Sequence, residues 1–462
     1  MMSDLATRPV SDYVATKPLS RLRGRAEVIA AVLGFLAFVV IVLTKATAML
    51  EPDDFAYRAS IVALSHGQIL LSNAQYLALQ HQLSADGGQG ILQWHQMASG
   101  KWISEKNPGY PFLAVLFYLF GALRIAPIFY GALACAGLYA GARAWLGRFA
   151  GTYAVWLYCF SGAALVFAWR ATMPTFTDAS LIAGAFGALL WVACSPDRSV
   201  RRRTLTGLLA FFALEAAVFT RYTDVVELAV ASAAVLFGRK AAQLAWRTVI
   251  YWLSSVACFG IAVLVFNYWA YGSAISTGYS SGEISFSLAA FWPNLKTMPT
   301  QLLVSMPVAV VAYIGLIWII VRFVQHRRGG DQTTTRLVRR DLLIATVLAA
   351  GWLGMWLLYL NYTWTAGQLG GGSHLGSITV HVIRFYLPAL GPVVLLAAWP
   401  LAKLRAWISW PVIASLVIAA LFSFGAMSGT QSVGGGGFDG PAGALPPGGF
   451  SGGGTPPSGA AP

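Results

Sequence analysis

Short clusters of acidic and basic residues separate the apolar stretches of this sequence, and the densest of them has the composition of an acid–base site. It reads Glu51-Pro-Asp53-Asp54-Phe-Ala-Tyr57-Arg58. Two neighbouring carboxylates repel each other, so the pKa of one of them tends to rise, and a raised pKa suits a general base. A solvated loop end that stops the preceding helix accounts for these residues equally well on spacing alone.

Four other groups of charged residues could act together with this cluster. They are Glu105-Lys106-Asn-Pro108, Arg170-Ala-Thr-Met-Pro174-Thr-Phe-Thr-Asp178, Arg221 with Asp224, and Arg384-Phe-Tyr-Leu-Pro388, which follows His381. Two of the groups also have a plain structural interpretation. The Glu–Lys pair could anchor the chain at a membrane surface, and Arg170 could form a salt bridge to Asp178 across a hairpin.

Opposite charges gathered at a membrane surface above an apolar groove suit one kind of substrate. Arg and Lys side chains hold a phosphate, a carboxylate takes the proton of an incoming hydroxyl, and the groove holds a lipid tail. Polyprenyl-phosphate sugars combine these features. Ionisable groups at a membrane boundary are functional candidates by default, so the sequence predicts that the clusters converge on such a lipid headgroup.

The elements that must position these clusters are membrane helices. The chain has 462 residues, of which 57% are hydrophobic and only 10% are charged, and its mean hydropathy is +0.65. A soluble globular chain carries roughly 25% charged residues, so this sequence cannot cover a water-facing surface. It predicts an all-α, polytopic transmembrane bundle of about 11–12 spans. A disordered, collagenous or disulfide-stapled main body is excluded.

Long apolar runs, each near the ~20 residues needed to cross ~30 Å of hydrocarbon, define the expected spans. They lie at 27–49, 125–142, 149–170, 177–195, 204–220, 223–238, 248–271, 302–324, 342–362, 382–400 and 407–428. Most of the 31 Lys and Arg residues lie in six segments, of which the five internal ones alternate with nearly uncharged loops, as the positive-inside rule requires. The net charge of +14 therefore reflects the orientation of the chain in the membrane, and no nucleic-acid partner is expected.

This topology predicts how the chain is divided and where it resides. Residues 1–26 are a basic cytoplasmic N-terminus, 27–428 a transmembrane domain with a first outer loop at 50–107, and 429–462 a disordered Gly/Pro-rich tail. The short apolar segment 108–122 is expected to be re-entrant or interfacial, because only then do all the basic segments face the cytoplasm. The charged clusters then face the periplasm from a bacterial inner membrane.

The clusters also follow the order of a known set of motifs. Asp53-Asp54-Phe-Ala-Tyr57 is similar to an Asp-Glu-x-x-Tyr motif after the first helix, and Glu105-Lys106-Asn107-Pro108 to a Glu-Lys-Pro-Pro motif. Arg170-Ala-Thr-Met-Pro174-Thr-Phe-Thr-Asp178 matches an Arg…Pro…Asp element, and Arg384-Phe385-Tyr386-Leu387-Pro388 a late Arg-Tyr-Leu-Leu-Pro element. Over roughly 27–400 the chain resembles the GT-C superfamily of integral membrane glycosyltransferases. That superfamily includes protein O-mannosyltransferases and the lipid A aminoarabinose transferase.

Taken with the charged groups above, the resemblance implies a role for each matching residue. The implied roles are catalysis by Asp53 (the general base), Asp54 and Glu105; donor-phosphate binding by Lys106, Arg170, Arg221 and Arg384; and lining of the substrate site by Tyr57, Asp178 and His381. No cofactor is certain, and a divalent metal ion would have Asp53, Glu105 and Asp178 as its candidate ligands. Asp54 and Asn107 depart from the family's pattern, which has Glu and Pro there, so the positioning of the acceptor is not carried over.

The expected function is transfer of a sugar from a polyprenyl-phosphate donor to a hydroxyl of a glycan, lipid or protein acceptor, with inversion at the anomeric carbon. The alternative is a transporter or flippase of lipid-linked sugars. Such transporters usually keep ionisable residues or broken helices near mid-membrane, often in repeated halves. Here the charges cluster at the outer edge and no halves repeat, which favours the glycosyltransferase.

Overall fold

The structure, a computed structural model, describes residues 17–45, 52–85, 93–279, 285–327, 332–370 and 380–432. In its first part, the helices and strands are α1 (Lys17–Thr44), α2 (Pro52–Ser65), α3 (Asn73–Ala85), β1 (Trp94–Gln96), β2 (Trp102–Ser104), α4 (Gly109–Leu119), α5 (Ile125–Leu146), α6 (Ala150–Cys159), α7 (Gly162–Ala168) and α8 (Thr175–Cys194). Most of the predicted basic N-terminus and of the predicted tail lie outside the described residues.

The second part of the described chain is entirely helical apart from its connections. Its helices are α9 (Val200–Thr220), α10 (Val225–Gly238), α11 (Trp246–Tyr271), α12 (Phe291–Ser305), α13 (Val308–Arg327), α14 (Gln332–Leu360), α15 (Thr363–Gly370), α16 (Val380–Ile383), α17 (Leu390–Lys403) and α18 (Ala406–Ser432). Short 3-10 turns at Tyr222–Asp224, Leu288–Ala290 and Leu387–Ala389 lead into α10, α12 and α17.

Helix length and composition confirm the polytopic helical bundle. Among the described residues, eight helices are long and apolar enough to cross a membrane, and α6 with α7, bent by 61°, is a ninth candidate as one broken span. Two predicted spans, 223–238 and 382–400, coincide only with the shorter helices α10 and α17, of 14 residues each. By helix length and composition, the described residues give eight candidate spans, or nine with the broken pair. The two shorter helices account for the difference from the 11 long apolar runs in the sequence.

The segment between the first two long helices forms an outer layer of short elements. Helix α4 has 11 residues and extends about 16 Å at 1.5 Å per residue, which is too short to cross ~30 Å of hydrocarbon. Strands β1 and β2 pair antiparallel, with Trp94 opposite Ser104. Tyr76 of α3 stacks on Trp102 at a centroid distance of 3.9 Å. This layer has its own small apolar core, separate from that of the bundle.

The ends of the helices form two opposite faces of the bundle, and each face carries a different set of charged residues. At one end, α9 stops at Thr220 just before Arg221, α8 starts just after Arg170, and α17 follows Arg384. The other ends of α9 and α17 carry Arg203 and Lys403. We call the end with Arg170, Arg221 and Arg384 the site face and the end with Arg203 and Lys403 the basic face.

Helices α5 and α8 pack with almost no side chain between their backbones. A Cβ atom added at Gly137 or Gly141 of α5 would collide with the backbone carbonyl of Gly184 or Gly187 of α8. Small residues four apart allow this close approach between membrane helices. Because α8 begins at the site face, this contact fixes the position of the first turn of α8 in the site.

We expect Gly141→Ala to destabilise the bundle by about 1–3 kcal/mol, the usual cost of overpacking a well-packed contact, and to lower the melting temperature in detergent. Gly260→Ala in α11 is the matched control, because a Cβ atom there meets nothing within 4 Å and alanine is the better helix former. Equal melting temperatures for both variants would contradict the close contact of α5 with α8.

Candidate functional site

The two aspartates of the first outer segment lie in the first turn of α2. Pro52 occupies the first position of this helix, where proline is tolerated because its missing N–H would have no partner there. Consecutive helical residues point about 100° apart. Asp53 and Asp54 therefore reach different neighbours, although they are adjacent in the sequence.

Asp53 is held between two cations from distant parts of the chain. Lys106 Nζ lies 3.0 Å from Asp53 Oδ1, and Arg384 Nη1 lies 2.7 Å from Asp53 Oδ2. The Asp53 side chain is 18% exposed, and those of Lys106 and Arg384 are 5% and 11% exposed. Three of the predicted site residues thus meet at one half-open point of the site face.

The electrostatics of Asp53 differ from the sequence-based expectation of a raised pKa. Burial raises the pKa of this carboxyl, but the Lys106 ammonium and the Arg384 guanidinium outweigh burial and hold its pKa well below the usual range. The expectation was wrong because each of the two neighbouring carboxylates has its own cations. In the state described here, Asp53 is a stable carboxylate and a weak base.

Asp54 forms a second ion pair that is closed to solvent. It accepts hydrogen bonds from Arg170 Nη2 and, at 2.7 Å, from Thr172 Oγ1. The side chains of Asp54 and Arg170 are both 0% exposed. This closed arrangement does not favour catalysis by Asp54 or a phosphate contact by Arg170, and both roles stay predictions from the sequence. This pair joins α2 to the segment between α7 and α8.

Arg221 connects the third acidic residue to the Arg384 segment. Its Nε lies 3.2 Å from Asp178 Oδ2, and its Nη1 donates to the backbone carbonyl of Arg384 at 3.0 Å. Its Nη2 donates to Thr175 Oγ1 at 3.3 Å. Asp178 is fully buried, so it orients Arg221 instead of lining an open substrate site. Arg221 therefore connects the first turn of α8 to the segment before α17.

The remaining predicted residues lie around this centre. Glu105 immediately precedes Lys106, and its backbone N–H donates to the Gln93 carbonyl at 2.9 Å. Tyr57 is 6% exposed and packs edge-on against Tyr110. His381 lies on α16, one turn before Arg384, and its side chain is outside the described part of the structure.

Aromatic residues, which charge patterns alone do not single out, complete the site. Tyr279 Oη is 3.1 Å from Lys106 Nζ, and its ring centroid is 4.7 Å from that atom. Phe385 and Trp364 lie 4.8 Å and 5.6 Å from the Arg384 guanidinium. The signal for Tyr279 in the sequence is its place in a polar loop after a long span.

The candidate metal ligands do not form a metal site. In the parts of the chain that the structure covers, no three His, Cys, Asp or Glu side chains are grouped so that they could hold a metal ion. Asp53, Glu105 and Asp178 are therefore not a ligand set in this arrangement.

A small, mostly apolar pocket of about 30 Å³ lies in the outer layer beside Lys106. Ile103 and Lys106 line it together with Pro111 and Phe112 of α4 and Phe266 of α11. Its walls belong both to the outer layer and to a membrane helix. Lys106 is the charged residue of this lining, so the pocket places apolar side chains directly beside the ammonium group.

Comparison with known proteins finds only distant similarities. No family model matches the sequence, and no curated protein matches it. The structure is similar to ArnT from Cupriavidus metallidurans bound to undecaprenyl phosphate, at 15% identity and a TM-score of 0.45, over 84% of this chain and 61% of that one. Apo ArnT gives 15% identity and a TM-score of 0.40, over 81% and 78%.

A third similar structure is the archaeal oligosaccharyltransferase AglB from Archaeoglobus fulgidus, in complex with an inhibitory peptide and a dolichol-phosphate. It has 10% identity and a TM-score of 0.47, over 88% of this chain and 56% of that one. The chain thus spans less than two thirds of the first ArnT chain and of AglB. At such low similarity, the function proposed below rests on this chain's own site.

We expect Asp54→Ala to reduce folding stability by about 3–5 kcal/mol, because it leaves the buried Arg170 guanidinium without its counter-charge. Expression and melting temperature in detergent should both fall. Asp53→Asn, at a partly exposed position, should lower the melting temperature less than Asp54→Ala does. If Asp54→Ala melted no lower than Asp53→Asn, the buried pair would not be structural.

Proposed function

We propose that this chain is an inverting membrane glycosyltransferase that moves a sugar from a polyprenyl-phosphate donor to an acceptor hydroxyl. The observation that carries the proposal is the position of Asp53, a partly exposed carboxylate held by Lys106 and Arg384. The site thereby offers a proton acceptor and two phosphate-binding cations at one point.

Lys106 and Arg384 are the donor-phosphate ligands in this proposal. The donor is a phosphodiester with one negative charge, and the polyprenyl phosphate that leaves has two. Cations beside it therefore stabilise the transition state more than the ground state. The backbone carbonyl of Arg384 is held by Arg221, so Arg221 acts by positioning Arg384. Tyr279 positions the ammonium of Lys106 in the same way.

Binding of the donor would change the partner of both cations. The phosphate competes with the Asp53 carboxylate for Lys106 and Arg384. Once they turn to the phosphate, burial of Asp53 is no longer outweighed, so its pKa rises and it becomes a stronger base. The base is thus activated only when a donor is present to react.

The chemical step is then a single displacement. Asp53 takes the proton of the acceptor hydroxyl, the acceptor oxygen forms a bond to the anomeric carbon, and the bond from that carbon to the phosphate oxygen breaks. The electron pair of the broken bond leaves with polyprenyl phosphate, and the anomeric configuration is inverted. The positive-inside rule would place this site face at the periplasmic side of a bacterial inner membrane.

We expect Asp53→Asn to lower the transfer rate by roughly 10²–10⁴-fold, the usual contribution of a general base, in a protein that still folds. The measurement is mass spectrometry of cell-envelope glycans from cells that lack the gene and are complemented with each variant. Asp197→Asn is the matched control, because Asp197 is exposed in the connection from α8 to α9 at the basic face. A normal glycan profile with Asp53→Asn would refute the assigned base.

We also expect Asp53→Asn to bind polyprenyl phosphate more tightly than the unmodified protein. The substitution removes the carboxylate that competes for the two cations, and two ion pairs of about 0.2–1 kcal/mol each correspond to a gain of roughly tenfold. Lys106→Met should weaken the same binding. The measurement is titration of the purified protein with undecaprenyl phosphate, and unchanged or weaker binding by Asp53→Asn would contradict the exchange of partners.

A further inference from the structure

A second cluster of charged and aromatic side chains lies at the basic face, where α13, α14 and α17 meet. The Arg322 guanidinium of α13 is 5.9 Å from the Trp399 ring centroid, and Lys403 Nζ is 5.5 Å from it. Trp399 itself is 1% exposed and therefore supports both cations from below. Lys403 is exposed and Arg322 is half-buried.

The one carboxylate of this cluster is fixed by indole groups. Trp145 Nε1 donates to Asp341 Oδ1 at 2.9 Å, and Trp399 Nε1 donates to Asp341 Oδ2 at 3.1 Å. Arg340 Nη2 is 4.0 Å from Asp341 Oδ1. Lys403 interacts electrostatically with Asp341 and also with the like charges of Arg322 and Arg340. Three cations thus face a single acid, whose oxygens are already engaged. We call Arg322, Arg340, Asp341, Trp399 and Lys403 the Trp399 cluster.

Three other basic residues at this face, Arg143, Arg148 and Arg203, have partners within the protein. Arg143 and Arg148 both pair with the buried Glu27, at 3.0 Å and 3.2 Å. Arg203 donates to backbone carbonyls, including that of Val192. Among the described residues, neither Arg322 nor Lys403 forms a salt bridge with a carboxylate. The Trp399 cluster is therefore an electropositive point with capacity for an anion.

The surface that leads from this cluster along α13 is apolar. Ile317, Ile320, Val321 and Val324 are 60%, 44%, 44% and 46% exposed, and they lie on a helix long and apolar enough to cross a membrane. A free phosphate would make no favourable contact with this apolar surface, whereas the acyl chains of a lipid would pack along it. Basic pockets between membrane helices are known to bind anionic lipid head groups.

We propose that the Trp399 cluster binds the phosphate of an anionic phospholipid in the leaflet at the basic face. Arg322 and Lys403 contact the phosphate oxygens, Arg340 adds positive charge at the rim, and Trp399 and Asp341 hold the cations in place. The acyl chains lie against α13. This site is at the opposite ends of the helices from Asp53 and does not depend on the proposed transfer reaction.

The test uses the full-length protein in nanodiscs of phosphatidylcholine with increasing fractions of phosphatidylglycerol, and it measures the melting temperature. Phosphatidylglycerol should raise the melting temperature of the unmodified protein. For Lys403→Gln and for Arg322→Gln, the fraction that gives half of this shift should increase by roughly fivefold each, as expected for one cation near an anionic surface. Arg201→Gln is the matched control, an exposed arginine of the same face outside the cluster, and it should behave like the unmodified protein.

A further arm separates a lipid headgroup from a soluble phosphate. Sodium phosphate or glycerol phosphate added to pure phosphatidylcholine discs should leave the melting temperature unchanged. A shift as large as that from phosphatidylglycerol would overturn the lipid assignment. The proposal also fails if Arg322→Gln and Lys403→Gln respond to phosphatidylglycerol as Arg201→Gln does. Melting temperatures of all variants in pure phosphatidylcholine show whether the substitutions affect folding by themselves.

Discussion

Ion pairs between residues far apart in the sequence hold the site face together, and the arrangement of the outer layer depends on them. Asp53 and Asp54 sit side by side on α2, yet one pairs with Lys106 and Arg384 and the other with Arg170. Because removing one partner of a buried pair leaves an uncompensated charge, these contacts restrict where α2 can lie on the bundle. The same contacts leave only one of the two carboxylates open to a substrate.

The two neighbouring aspartates differ in their access to solvent. The pair of Asp54 with Arg170 is closed to solvent and accepts a further hydrogen bond from Thr172, which is the arrangement of a structural ion pair. The group around Asp53 is half-open, and a phosphate could replace the carboxylate as the partner of its cations. In the absence of a ligand, the Asp53 carboxylate thus neutralises two cations that could otherwise bind an anionic phosphate.

The cations at the two faces of the molecule have different kinds of partner. At the site face, Lys106, Arg170, Arg221 and Arg384 each have an acidic partner or hold a backbone carbonyl. At the basic face, Glu27 neutralises two arginines, whereas the Trp399 cluster relies on indole rings for support. Aromatic rings can hold cations near one another without cancelling their charge, and this leaves them able to bind a ligand.

The sequence by itself determined the class of fold, the positions of most membrane helices and the segments that meet at the site, because hydropathy and charge act locally and along the chain. It identified Asp53, Lys106 and Arg384 from residue type and motif order. Only the tertiary structure decided which acid pairs with which base, since adjacent helical residues point in different directions. That choice lowered the pKa of Asp53, where repulsion between neighbours alone predicted a rise, and it buried Asp54 with Arg170. Side-chain direction and burial are set by contacts between distant segments, and no local pattern encodes them.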